Sequence, residues 1–144
     1  MKPWVLTAAI LSTSSFGFAA GAPPSPQPLL AAAQAQIQEV SGSAARAAIE
    51  AADVVIDVRE PDEYASAHLP GAVNLPRGML EFKVAALAPS ASSKIVVYCR
   101  TGQRGALAAK TLQDMGYTRV QSLAGGLAAW QAEQTPSTIQ AQQQ

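Results

Sequence analysis

A single cysteine, Cys99, and a single histidine, His68, stand among the 144 residues of this chain. An intramolecular disulfide is excluded, and two such side chains are too few for a structural zinc centre. Charge is scarce as well: charged residues make up 14% of the chain, and the 10 basic and 10 acidic side chains cancel. There is no basic stripe or polybasic cluster, which argues against nucleic acid or an anionic lipid surface as a partner. Aromatic residues account for only 6%, but an apolar fraction of 49% is ample for a core without a disulfide or metal staple. Internal repeats are absent, and no apolar run reaches the ~20 residues of a membrane-spanning helix.

The N-terminus carries a different signal. Lys2 precedes the apolar run Trp4 to Leu11, a Ser/Thr stretch follows, and Gly17-Phe18-Ala19-Ala20 supplies small residues near a break. This is the pattern of a secretory signal peptide over residues 1–20, cut near Ala19 or Ala20. A membrane anchor fits less well, because Thr7, Ser12, Thr13, Ser14 and Ser15 interrupt the run, and no nearby cysteine could take a lipid. Export, to the periplasm in a bacterium, with no stable anchor after cleavage, is the expected localisation. Pro23, Pro24, Pro26 and Pro28 mark residues 21–36 as a Pro/Ala/Gln-rich linker, with Leu29 to Gln36 either loosely helical or more linker. Residues 132–144 read as a Gln-rich flexible tail. The folded unit is then residues 37–131.

Within that unit strand and helix patterns alternate. Ile37–Val40 reads as a short strand, and Ser41 or Ser43 caps a helix through Ala51 whose inner face carries Ala47, Ala48 and Ala51. Val54-Val55-Ile56-Asp57-Val58 is a β-branched run suited to a strand buried on both faces. A helical turn at Pro61–Tyr64, a strand at Ala72–Leu75 and a helix at Met79–Leu87 follow. Lys94–Tyr98 is a second central strand, Ala106–Met115 a strong helix, Val120–Leu123 the last strand, and a helix carrying Trp130 comes after Ala124-Gly125-Gly126. The alternation implies an α/β fold, a parallel sheet with helices on both faces.

Cys99 follows the Lys94–Tyr98 strand directly, where open α/β sheets bind ligands. The segment Cys99-Arg100-Thr101-Gly102-Gln103-Arg104 leads into a helix expected to start near Gly105. Unpaired N–H groups of the first helical turn, the helix dipole, a nest made possible by Gly102, and the cations Arg100 and Arg104 all favour thiolate over thiol. No histidine lies nearby in sequence to act as a base, so a Cys–His hydrolase is a poorer fit. A buried structural cysteine is the plain alternative, but two arginines and a glycine are an odd turn for one.

The chain resembles the rhodanese family, thiosulfate sulfurtransferases, of the exported single-domain type. The resemblance rests on Asp57-Val58-Arg59-Glu60-Pro61-Asp62-Glu63-Tyr64, His68-Leu69-Pro70-Gly71-Ala72, Asn74-Leu75-Pro76, the Cys99–Arg104 loop, and Leu123-Ala124-Gly125-Gly126-Leu127-Ala128-Ala129-Trp130. It implies a three-layer rhodanese-like fold with a five-stranded parallel sheet. It also implies that Cys99 takes sulfane sulfur from thiosulfate or a similar small anion, becomes a persulfide, and passes the sulfur to cyanide or another thiophile. No cofactor or metal is implied, and the chain is expected to act as a monomer. By the resemblance, the backbone amides of Arg100, Thr101, Gly102, Gln103 and Arg104 hold the persulfide, and Arg100 or Arg104 binds the anion. Two residues depart from the family pattern. Gly105 stands where serine is frequent, and as an N-cap would soften the helix start. Ala67 stands where glycine is usual, and would be strained if that site needs positive φ.

Other residues admit plainer roles. Asp57 is read as a support that orients the loop, Arg59 as the partner of Glu63, His68 as a structural hydrogen-bonder, Arg77 as surface, and Trp130 and Tyr117 as packing. A phosphatase would need five residues between cysteine and arginine to circle a phosphate; here four intervene, and Tyr98 replaces the usual preceding histidine. A non-enzymatic persulfide carrier, or a redox-sensing or binding module of the same fold, is the alternative to an enzyme.

Overall fold

A computed structural model describes residues 23–135, together with Met1 and Gly21. The signal-peptide reading, and the tail beyond Thr135, lie outside the described residues. Five strands, β1 (Gln38–Val40), β2 (Val54–Asp57), β3 (Val73–Asn74), β4 (Lys94–Tyr98) and β5 (Arg119–Leu123), form one parallel sheet in the order β1-β5-β4-β2-β3. Both central strands are the β-branched runs, since only continuous apolar sequence can be covered on both faces. Ile56, Ile95, Val97 and Val120 pack beneath α4 (Leu80–Leu87) and α5 (Gln103–Asp114), against Leu80, Val84 and Leu112. On the other face Val55, Val96, Tyr98 and Leu123 meet α2 (Gly42–Ala51), α3 (Pro61–Ser66) and α6 (Gly126–Gln134) through Ala45, Tyr64, Leu127 and Trp130. The result is the expected three-layer α/β architecture. Among the described residues, no helix is long and apolar enough to cross a membrane.

Several local expectations need correction. Residues 27–34 are a helix, α1, so the segment is not all linker. Pro28 sits in its first turn, where a missing N–H costs nothing, and Leu30 and Ala33 are buried as α1 lies along α5. The inner face of α2 is Ala45 with Ala48 and Ile49, while Ala47 and Ala51 are exposed. An alanine-rich helix offers too little contrast in hydrophobicity to mark its buried side. Helix α5 begins at Gln103 rather than near Gly105, and α6 runs to Gln134. Ala67 has φ −169°, ordinary extended backbone, so no strain arises there.

Docking of α1 is open to a direct check. Ala33→Asp places an unpaired carboxylate in the α1–α5 contact and is expected to cost about 2 kcal/mol, lowering Tm by roughly 5–10 °C. The same change at the exposed Ala31 should leave Tm within about 2 °C of wild type. Equal effects at the two positions would mean that α1 does not pack on α5.

Candidate active site

Cys99 lies at the C-terminal end of β4, buried, and its Sγ accepts the backbone N–H of Gly102 at 3.1 Å. The turn that makes this contact needs a left-handed residue. Gly102 supplies it with φ +100° and caps α5, whose first hydrogen bond runs from the Ala106 N–H to the Gly102 carbonyl at 2.8 Å. Gln103 and Arg104 are thus already in the first helical turn. Gly105 is inside the helix and is not its cap. A Cβ there would come within 3.2 Å of Ser122 Oγ and 3.4 Å of the Cys99 nitrogen, so the bare glycine lets α5 rest on β4 and β5.

A second helix start holds the other side of the loop. The Leu127 N–H donates to the Cys99 carbonyl at 2.9 Å, and the Ala128 N–H donates to the Arg100 carbonyl at 3.0 Å. Both bonds require the start of α6 to touch the loop backbone. A Cβ on Gly126, at φ +60°, would overlap the Cys99 carbonyl oxygen and lie 2.7 Å from the Arg100 carbonyl. A Cβ on Gly102 would meet the Gly125 nitrogen at 3.0 Å. Gly125, Gly126, Leu127 and Ala128 are therefore part of the site. Sequence reasoning placed the Gly-Gly pair only at a helix start, although two adjacent glycines before a helix are the signal of a close backbone approach.

The ionic partners differ from those expected. Arg59 pairs with Asp57 and not with Glu63. Its Nε donates to Asp57 Oδ1 at 2.9 Å, and its Nη2 donates to Oδ2 at 2.6 Å and to the Ala67 carbonyl at 2.6 Å. Asp57 and Arg59 are both buried, and the carboxylate holds the Arg59 guanidinium above its ordinary value. The side-chain hydrogen bonds of Asp57 go to Arg59, so it braces the β2 rim, beside Tyr98 at the head of the loop. Glu63 instead grips Arg104, with Nη1 to Oε2 and Nη2 to Oε1 both at 2.8 Å. That grip, helped by the Glu60 N–H, lowers Glu63 to about 2 and raises Arg104.

The remaining predicted residues fall into place around this frame. Arg100 and Thr101 are exposed, and among the described residues the Arg100 side chain makes no ion pair. Gln103 is exposed on the first turn of α5. Burial pushes the Tyr98 phenol up, and its oxygen accepts the Leu69 N–H at 3.0 Å. His68 stacks on Tyr64 with ring centres 3.8 Å apart, and its Nδ1 lies 2.8 Å from the Tyr64 carbonyl, a structural use. Arg77 is no idle surface residue: it ties the turn before α4 to α5 through Thr111 at 2.7 Å and pairs with Glu81. Tyr117 bonds the Ala88 carbonyl, and Trp130 packs against the core and takes Arg46 over its ring. Among the described residues, no group of three or more His, Cys, Asp or Glu side chains is placed to hold a metal ion. A cleft of 530 Å³ opens at the opposite end of the sheet, bordered by Lys94, Thr118 and Arg119, and includes no residue of the loop.

A family model for the rhodanese-like domain matches residues 41–133. The thiosulfate sulfurtransferase PspE of Escherichia coli is 39% identical over 77 residues, covering 54% of this chain and 73% of that protein. A sulfurtransferase of Allochromatium vinosum is 34% identical over 77 residues, covering 54% and 70%. Among solved structures, a Rhodopseudomonas palustris protein of unknown function, with tyrosine phosphatase as its suggested activity, superposes with TM-score 0.67 at 35% identity over 81% of this chain and 98% of that one. A thiosulfate sulfurtransferase of Pseudomonas aeruginosa gives TM-score 0.66 at 26% identity, over 74% of this chain and 21% of that one.

Two outcomes follow from this geometry. Gly126→Ala should cost more than about 3 kcal/mol in urea unfolding, because steric overlap adds to backbone strain. Gly116→Ala, also at positive φ but with open space around the added methyl, should cost only about 1–2 kcal/mol. Equal costs would remove the close approach from the account. The Glu63 pair should also persist into acid. Its folded value lies below the ordinary 4.5, so the pair contributes stability above about 4.5 and loses it as pH falls through about 2. A carboxyl titration by NMR should place the midpoint near 2 and return it toward 4.5 in Arg104→Gln; an unshifted midpoint in wild type contradicts the pairing.

Proposed function

The chain belongs to the rhodanese-like domain family, and from that membership we propose that it is an exported sulfurtransferase whose Cys99 carries sulfane sulfur between small donors and thiophilic acceptors. The observation that supports this best is the Cys99 sulfur itself, held by the Gly102 N–H at the foot of a helix start. An N–H aimed at sulfur, under a helix N-terminus, stabilises negative charge on that atom and on a second sulfur bonded to it. The relatives named sulfurtransferases, and two named for thiosulfate in particular, point to the same chemistry.

The proposed cycle has two displacements. The Cys99 thiolate attacks the outer sulfur of thiosulfate, the S–S bond breaks, and sulfite leaves with the electron pair. The resulting persulfide is then attacked at its outer sulfur by cyanide or a thiol, and Cys99 is restored as thiolate. The loop amides from Arg100 to Arg104 surround the persulfide, and Arg100, the loop arginine that forms no ion pair among the described residues, meets the arriving or departing anion. Phosphoryl transfer is less well served. Only four residues separate Cys99 from Arg104, and Glu63 already occupies the fork of Arg104 that would clasp phosphate oxygens. The functional unit is residues 37–131, braced by α1, and it works as a monomer after removal of residues 1–20.

With thiosulfate and cyanide, the mature protein should form thiocyanate, and Cys99→Ser should form none above background. Arg100→Ala should raise KM for thiosulfate roughly tenfold, the worth of one charge-assisted contact of ~1.4 kcal/mol, with little change in kcat. Thiocyanate formation by Cys99→Ser, or none by the wild type, would refute the proposal.

A further inference from the structure

Two arginines follow Cys99 in the loop, but the fold treats them differently. Arg100 is exposed, whereas Arg104 is held end-on by Glu63 in a two-pronged pair, each N–O distance 2.8 Å. Glu63 is not a loose surface carboxylate. It is the third residue of α3, its Oε2 also accepts the Glu60 N–H at 3.2 Å, and α3 starts two residues after Arg59, which is locked to Asp57 and to the Ala67 carbonyl. The carboxylate is therefore delivered to the loop from another part of the chain on a fixed element. Its side chain is 25% exposed and that of Arg104 39%, so solvent screens the pair only in part.

We propose that Glu63 sets the charge of the sulfur-donor site: by clamping Arg104 it leaves Arg100 as the one uncompensated cation of the loop, so that monoanionic sulfane donors, such as thiosulfonates and small-molecule persulfides, compete on fair terms with the dianion thiosulfate. The inference rests on reading this loop as the donor site. Two uncompensated arginines would favour the dianion strongly, because the energy of an ion in a fixed potential scales with its charge. With the charge on Cys99 common to both cases, one uncompensated arginine in place of two lowers that preference on the logarithmic scale. Glu63 acts through Arg104 and is a positioning residue, touching neither sulfur nor donor.

The charge scaling makes a test that a purely structural role would not satisfy. In a Cys99→Ser background, which removes turnover, calorimetric titration with methanethiosulfonate and with thiosulfate measures a monoanion and a dianion of the same sulfane chemistry. Glu63→Gln keeps an oxygen for the Glu60 N–H and removes the charge. It should tighten the monoanion about twofold to threefold and thiosulfate by about the square of that factor, fourfold to ninefold, with both gains shrinking as salt is raised. Arg104→Gln should weaken both anions with the same squared relation, and the double variant should lie between the two. If Glu63→Gln does not fold, Arg104→Gln alone carries the comparison. Equal shifts for the two anions, no shift, or binding of neither anion would overturn the inference. Sulfur loading of wild-type Cys99 by either donor is scored separately. Loading with a flat charge pattern sinks the role of Glu63 alone, and the charge pattern without loading sinks the sulfurtransfer reading alone.

Discussion

The structure depends on a contact between two backbones. The start of α6 presses against the Cys99 loop so closely that Gly126 has no room for a methyl group, and its next two amides hold the Cys99 and Arg100 carbonyls. With those carbonyls turned toward α6, the loop can curl through Gly102 and return an N–H to the sulfur. Sheet order makes this possible. Because β5 lies beside β4, the helix that follows β5 starts next to the loop that follows β4. Two helix starts therefore converge on one loop, α5 through its capping glycine on the sulfur and α6 through its first amides on the loop carbonyls, and α6 would not do so if β5 were elsewhere in the sheet.

Around that contact the charges are arranged by depth. Asp57 and Arg59 are buried and satisfy each other, which a lone buried charge could not survive without a cost of several kcal/mol. Their role is to fix the β2 rim and the segment leading to Ala67. One layer out, Glu63 and Arg104 are partly exposed and link α3 to the first turn of α5. Outermost is Arg100, without an ionic partner among the described residues. Positive charge near Cys99 thus grows less constrained toward solvent, the side from which the proposed donor would come.

The parts of this arrangement carried by local pattern were legible in the sequence. Val54–Val58 and Lys94–Tyr98 are β-branched runs that suit only central strands, and the place of Cys99 between a strand end and a helix start was legible from the same local pattern. What was not legible depended on tertiary choice. Arg59 had two acidic neighbours within reach, Asp57 and Glu63, and chain distance alone does not decide between them; the fold brings Arg104 to Glu63 from 41 residues away and settles the partners. The buried side of α2 was hidden by its run of alanines, and Pro28 suggested a linker where it instead opens a helix. The role of Gly126 required knowing that β5 neighbours β4, which follows from the sheet order and not from any motif.

Sulfur on Cys99 is the claim from which the rest follows, and intact mass of the mature protein after incubation with thiosulfate tests it most directly. The account predicts a gain of one sulfur atom on the wild type, removed by cyanide and absent from Cys99→Ser. An unchanged mass, or the same gain on Cys99→Ser, would contradict it.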